Sequence, residues 1–240
     1  MEINKLIDKG KITMIIKDYE SLLEIDGSVD IKDLIDNTLV KPKIIEINDI
    51  NDTIFYELRV ADVINKFAFK YNVKGTKFIN QILKLSTLSS DYLEKDPMFL
   101  SDSEKFKLIL ALVLILNPTM IIINNISCYF DSKSKAEIMF TLKRLKREHN
   151  KTFVINDNDI DYFYSVSDNV IVIDNSEIIL NGKKDILFTN YNLLKKKKIS
   201  IPIYTEFVRY VKDNKGSDID ILVRDDVKDI MKDIYRSLSW

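Results

Sequence analysis

Residues 101 to 123, SDSEKFKLILALVLILNPTMIII, constrain the fold more than any other stretch of the chain. Ser101 and Glu104 form the S-x-x-E pattern of a capping box, which satisfies orphan N–H groups at a helix start. The helix this predicts runs to about Leu116, and Pro118, which lacks an N–H and clashes with the preceding turn, ends it. From Leu108 to Leu116 every residue is apolar, so the helix has no face for solvent. This run of nine is too short for a membrane span, which needs about 20 residues. Thr119 to Ile123 follows at once as an apolar, β-branched run, the pattern of a parallel strand covered on both faces. A buried helix leading into a buried strand requires further layers around both, which places the chain in the α/β class.

The rest of the second half keeps the alternation. Ala136, Met139, Leu142 and Leu145 fall at helical spacing between Ser132 and His149, with Lys and Arg gathered in the last turn where the helix dipole favours them. Phe153 to Ile155 reads as the next strand. Val170 to Ile173 and Ile178 to Leu180 read as two strands around the turn Asp174-Asn175-Ser176-Glu177. The first hundred residues are less regular: Gly10 to Ile16 is a strand, another element begins at Gly27 to Ile31, and residues 54 to 95 carry helical spacing with many polar positions. After a linker at Ser200 to Pro202, residues 205 to 214 and 225 to 238 read as two helices.

Composition removes several function classes. Lys and Arg total 36 against 37 Asp and Glu, and no long basic stripe occurs, so nucleic acid is not an expected partner. The one basic run, Lys195 to Lys198, reads as solvated surface. A single cysteine, Cys128, cannot form an internal disulfide and fits a reducing compartment. The opening MEINKLIDKG has no apolar signal core, and secretion is not expected. Membrane association is therefore expected to run through a partner.

Only five glycines occur, at positions 10, 27, 75, 182 and 216. Their scarcity matters because LSDSEKFKLILALVLILNP and TMIIINNISCYFD resemble the signature and Walker B stretches of ABC transporter ATPases, whose nucleotide sites are built on glycine. GKITMII resembles the strand before the Walker A loop, and IIEINDINDTIF the Q-loop region. KTFVINDNDIDYFYSVSDNVIVIDNSEIILNG resembles the switch-histidine strand and following hairpin. IPIYTEFVRYVKDNKG and the closing helix resemble the C-terminal extension through which such subunits pair. Together these segments are similar to the ATPase subunits of energy-coupling factor transporters, the ABC-type vitamin and cobalt importers. The resemblance implies a P-loop NTPase-like three-layer core with a parallel sheet, an inserted helical subdomain at about 54–117 within residues 1–199, and a helical extension at 200–240.

Against that pattern, the departures fall where the chemistry would be. Lys17 opens the segment KDYESLLEID, which stands where a Walker A loop and its helix would be, and no GKS or GKT occurs. Asn48 stands in the place of the Q-loop Gln. Asn124 stands for the Asp that orients magnesium, Asn125 for the catalytic Glu, and Asn158 for the switch His; the only histidine, His149, lies at the preceding helix end. An amide cannot take a proton from water, and loss of a general base costs roughly 10²- to 10⁴-fold in rate. No catalytic residue and no metal site are expected. Mg-ATP is expected only if the degenerate site, or a partner's site, is used.

In the signature, Leu100 and Ser101 match LSGGQ, while Asp102 and Ser103 replace its glycines and Glu104 its Gln. Ser101 either touches a partner's γ-phosphate or simply caps its own helix, with Asp102 and Glu104 complementing the dipole. Asp131, at the D-loop position, serves equally as a helix N-cap. The function the resemblance implies is a non-catalytic subunit paired with a competent ABC ATPase and a transmembrane coupling protein, peripheral on the inner face of the cell membrane. A weakly active ATPase and a repurposed soluble interaction module are the alternatives.

Overall fold

The computed structural model describes residues 3–17, 25–36, 41–51 and 55–215. In chain order the elements are β1 (Ile12–Lys17), β2 (Ser28–Asp30), α1 (Ile31–Asp36), β3 (Ile44–Ile47), α2 (Val60–Lys70), α3 (Thr76–Leu85), α4 (Asp102–Leu116), β4 (Met120–Asn124), α5 (Ser132–His149) and β5 (Thr152–Asn156). They continue with α6 (Ile160–Tyr164), β6 (Asn169–Asp174), β7 (Glu177–Lys183), α7 (Ile186–Thr189), α8 (Tyr191–Lys196) and α9 (Ile203–Lys215). The chain divides into two compact units, residues 1–13 with 23–158 and residues 14–22 with 159–240.

In the first unit β2, β3, β4 and β5 pair in that order, all parallel. Ile45, Ile47, Ile121, Ile123, Phe153 and Ile155 are wholly buried, as β-branched and aromatic residues of a covered parallel sheet should be. The chain enters β5 beside β1: the Phe153 N–H donates to the Lys11 carbonyl at 3.0 Å, and the Gly10 N–H to Thr152 Oγ1 at 2.9 Å. Gly10 has φ +69°, in the left-handed region that favours glycine, and a Cβ there would have to displace the Asn150 side-chain amide.

Helix α4 begins at the predicted capping box, with both reciprocal bonds present, and ends at Asn117 in the left-handed conformation. From Phe106 to Leu116 every residue but Lys107 is buried. Lys107, half-buried, pairs with Glu137 of α5 at 2.8 Å. Phe106 meets Phe130 edge-to-face, ring centres 5.5 Å apart. Helix α5 spans the predicted residues, and its Leu142 and Leu145 are wholly buried. Within residues 54–95 the helical pattern resolves into α2 and α3. Arg144 of α5 donates to the Lys84 and Leu85 carbonyls at 2.9 and 2.7 Å, satisfying the orphan end of α3. Lys70 and Tyr71 do the same for α1 through the Leu34 carbonyl, at 2.8 and 2.7 Å.

The second unit holds the hairpin β6-β7, antiparallel, with a bulge at Val172/Ile173. Asn175 and Ser176 at its tip have φ 49° and 62°, the left-handed pair that matches the twist of a two-residue hairpin. Helix α9 is held by an Ile203 N–H bond to Asp161 of α6 at 2.5 Å and by the Lys195–Glu206 pair at 2.5 Å. In the segment Ser200 to Pro202, Ser200 is exposed while Ile201 and Pro202 are buried. Of the basic run, Lys195 and Lys197 pair with Glu206 and Asp174.

Five elements escaped the sequence reading: α1, β3, and the short helices α6, α7 and α8. Each has six residues or fewer, and β3 was read only as part of the loop-like IIEINDINDTIF. The helix expected at 225–238, and most of the segment after Lys17, lie outside the described residues.

Because Phe106 has no exposure and closes the α4 layer against Phe130, Phe106→Ala should cost about 3–5 kcal/mol of folding stability. Urea denaturation monitored by circular dichroism measures it; a cost below about 1 kcal/mol would mean that the aromatic contact is not part of the core.

Candidate functional site

Parallel α/β sheets present ligands at the C-terminal ends of their strands. In the first unit those ends carry amides in a row. Asn156, last in β5, is the register partner of Asn124, last in β4. Its Nδ2 donates to Asn124 Oδ1 at 3.0 Å. Asn124 Nδ2 in turn donates to Asn48 Oδ1 at 2.6 Å, and Asn48, just past β3, donates from Nδ2 to a carboxylate oxygen of Asp30 at the end of β2. The other Asp30 oxygen accepts the Lys32 N–H at 2.7 Å. Three amides thus point head to tail across four strands toward one carboxylate, each donor polarising the next.

The loops beyond the strands are tied in the same way. Asn125 is exposed, with φ 49°, and its N–H donates to the Asn156 carbonyl at 2.8 Å. The buried Asp157 accepts the Ser127 N–H at 2.9 Å and also the Ser127 hydroxyl. Tyr129 donates its hydroxyl to Asp49 at 2.7 Å, and that bond pushes its pKa up to about 12. The turns after β3, β4 and β5 are therefore cross-linked by side chains.

Of the residues singled out at the nucleotide position, Asn48 and Asn124 meet in this row. Asn125 joins by its backbone only. Asn158 lies exposed beyond β5, and Lys17 ends β1, in the second unit. Asn156, Asp157 and Asp30 were not anticipated as site residues. The signal for the first two was present in the polar run Asn156 to Asp159 after a wholly apolar strand; Asp30 gave none, because nothing local reveals that β2 pairs with β3.

Magnesium takes hard oxygen ligands in strict octahedral geometry. Asn124 offers one amide oxygen, already engaged by Asn156, while its nitrogen is engaged by Asn48. Both oxygens of Asp30 hold donors. The residues at these strand ends do not fit a magnesium ion.

At the signature position, Ser101 Oγ accepts the Glu104 N–H at 3.4 Å and Glu104 Oε2 accepts the Ser101 N–H at 2.9 Å. Burial pushes the Glu104 carboxyl up, but bonds from the Ser101 N–H and the Tyr92 hydroxyl outweigh it and hold the group below its ordinary value. Ser101 is thus a cap for its own helix. Ser103 lies 3.3 Å from Ser101 between the two hydroxyls, and Asp102 is exposed. Asp131 accepts the Ser134 N–H at 2.7 Å as the N-cap of α5.

Beside the signature, a groove of about 300 Å³ is lined by Asn51, Phe55, Pro97, Met98, Leu100 and Asp102, among others. Bonds from the Val60 and Ala61 N–H groups to the Lys95 and Leu93 carbonyls, both 2.9 Å, bring its two segments together. They expose Tyr56, Leu58, Met98 and Phe99, each at least 77% open to solvent. No helix among the described residues is long and apolar enough to cross a membrane.

A mostly parallel sheet, helices α1 to α5 and the stretch from Ser101 to Asp131 define the class: an ATP-binding-cassette fold. It superposes on cbiO1 of Clostridium perfringens, described as part of the ABC transporter complex cbiONQ, with a TM-score of 0.59 and 20% identity, covering 85% of this chain and 89% of that one. A dimeric bacterial ABC transporter cassette gives a TM-score of 0.52 at 19% identity, over 74% and 87% of the two chains. By sequence the chain is similar to energy-coupling factor transporter ATP-binding proteins. It is 26% identical over 224 residues to the energy-coupling factor transporter ATP-binding protein EcfA2 of Clostridium acetobutylicum, covering 88% of this chain and 77% of that protein. To EcfA1 of Mesomycoplasma hyopneumoniae strain J it is 29% identical over 191 residues, 78% and 69% of the two; to EcfA2 of Enterococcus faecalis, 29% over 134 residues, spanning only 46% of that relative. No protein-family model matches the chain.

The amide row makes a test that runs against the intuition of restoring a carboxylate. Asn124→Asp would set a carboxylate oxygen against Asn48 Oδ1, and Asn48 cannot turn round without leaving Asp30. The charged form is disfavoured in the folded state, so the new Asp has a raised folded pKa and the variant recovers stability as pH falls through it. At pH 7 the variant should lose about 1–3 kcal/mol, and most of the loss should vanish near pH 4, measured by thermal unfolding across pH against wild type. Equal stability at pH 7 would mean that the row does not hold the strand ends.

Proposed function

We propose that this protein is a non-catalytic ATP-binding-cassette subunit of an energy-coupling factor importer, which pairs with a competent ABC ATPase and transmits closure to a membrane protein that admits a vitamin or metal ion. The observation that carries the non-catalytic part is the amide row. Phosphoryl transfer is positioning plus neutralisation of charge by metal and cations, and here the strand ends bear amides already bonded to one another. With Asn125 and Asn158 both exposed amides, no general base stands at either position.

The apolar lip of Tyr56, Leu58, Met98 and Phe99 supports the membrane partner: its groove sits at the N-terminus of α4, whose buried body would carry a push into the sheet. Such docking would place the chain on the cytoplasmic face of the membrane through its partner. The expected C-terminal extension from residue 200 would serve pairing, and α9 begins it. The solute would be chosen elsewhere in the complex, since the relatives named above are ATP-binding proteins and not the solute receptors.

Two measurements address this reading. The isolated protein should bind Mg-ATP more weakly than about 1 mM by calorimetry; a low-micromolar constant, about −8 kcal/mol, would sink the non-catalytic assignment. In a complex reconstituted with a competent ATPase, Asp102→Gly removes an exposed negative charge beside Ser101, where a partner's γ-phosphate would approach. Its turnover should rise roughly fivefold or more, from relief of like-charge repulsion, while the isolated subunit stays inert. No change in an assembled complex would show that α4 does not face the partner's nucleotide.

A further inference from the structure

We infer that the cleft between α3, the last turn of α4 and the end of α5 is a binding site for a small carboxylic acid with a compact apolar body. The cleft measures about 160 Å³. Cavities of about 150 Å³ walled by apolar side chains take a benzene ring. The walls here are of that kind: Ile82 from α3, Leu114 from α4 and Leu145 from α5, all buried, with Leu85 of α3 half-buried beside them.

The rim has the opposite chemistry. His149, the last residue of α5, and Lys151, just before β5, both line the cleft, and none of its described lining residues is Asp or Glu. Lys151 is half-buried. Its ammonium donates to Asn117 Oδ1 at 2.6 Å and to the Pro118 carbonyl at 3.1 Å, both neutral acceptors. An ammonium carries three donors. Burial alone pulls the Lys151 pKa below its ordinary value, so the charge sits where water solvates it poorly, and among the described residues it has no carboxylate partner. An apolar pocket with one desolvated cation at its mouth is matched by a ligand with one anionic head and a ring-sized body.

A packing defect would differ in both respects. It would be closed and uniformly apolar, whereas this cleft is open on one side and has Gln81 and Lys151 at its edge. The site also lies at the opposite end of α4 from Ser101, and it touches α3 of the helical region. A bound acid would bridge α3 to the two core helices. The inference concerns the isolated chain and does not depend on the pairing proposed above.

The test uses benzoate as the acid and benzyl alcohol as its neutral counterpart of the same shape, with the full chain, by ligand-observed NMR titration. Benzoate should saturate the protein and bind at least tenfold more tightly than benzyl alcohol. Lys151→Met should erase that preference while leaving benzyl alcohol binding unchanged. Should Lys151→Met fail to fold, Gln81→Glu decides the matter: it changes an exposed residue at the rim, and the added anion should weaken benzoate at least fivefold without affecting the alcohol. Equal affinity for the two probes overturns the inference. So does benzoate binding that ignores the folded variants, or the lack of saturable benzoate binding by about 10 mM, a weakness below that of even a poor ligand of this size.

Discussion

The structure depends on the burial of α4. A helix whose residues from Leu108 to Leu116 are all apolar cannot face water on any side, so it must be enclosed by sheet, α5 and the helical region together. Burying one Leu or Ile side chain is worth about 1.5–3 kcal/mol, and this helix contributes a continuous block of them. Its N-terminus presents the capped Ser101 beside the apolar lip, and its C-terminus walls the cleft that ends at Lys151.

The strand ends show a second constraint. A parallel sheet terminates in polar groups that have lost their ladder partners, and a nucleotide enzyme satisfies that edge with metal, water and phosphate. This chain satisfies it internally, by Asn156 to Asn124 to Asn48 to Asp30 and by Ser127 on Asp157. The side-chain types explain the choice. Asn both donates and accepts, so amides can be chained in one direction, while adjacent carboxylates would repel and need a cation between them. The same logic gives the signature helix its own carboxylate: Glu104 holds the Ser101 N–H that would otherwise be open to an anion.

Much of the second half was legible from residues alone. The capping box at Ser101, the stop at Pro118, the N-cap at Asp131 and the turn at Asn175-Ser176 are local signals, each set by which backbone groups or φ values a short segment needs, and all four are found as read. The first hundred residues were less readable for the converse reason. β2, α1 and β3 are three to six residues long, too short for a period to declare itself, and their stability comes from partners distant in sequence, such as Tyr71 on Leu34 and Ile45 beside Ile121.

The sequence by itself determined the fold class, the buried helix and the caps, because each is a property of residue type and local spacing, while the reading of a nucleotide site stripped of glycines and carboxylates rests on the resemblance to ABC ATPases. Only the tertiary structure decided that Asn124 bonds directly to Asn48 in a row that Asn156 and Asp30 complete at either end, that Asn158 stands apart, and that Lys151 lies at the mouth of an apolar cleft. Those are facts of register between parallel strands and of packing between helices. Register and packing are set by contacts across 30 to 80 residues of chain, as between Asn156 and Asn124 or Asn124 and Asn48, and no local pattern encodes which distant side chain a polar group will meet.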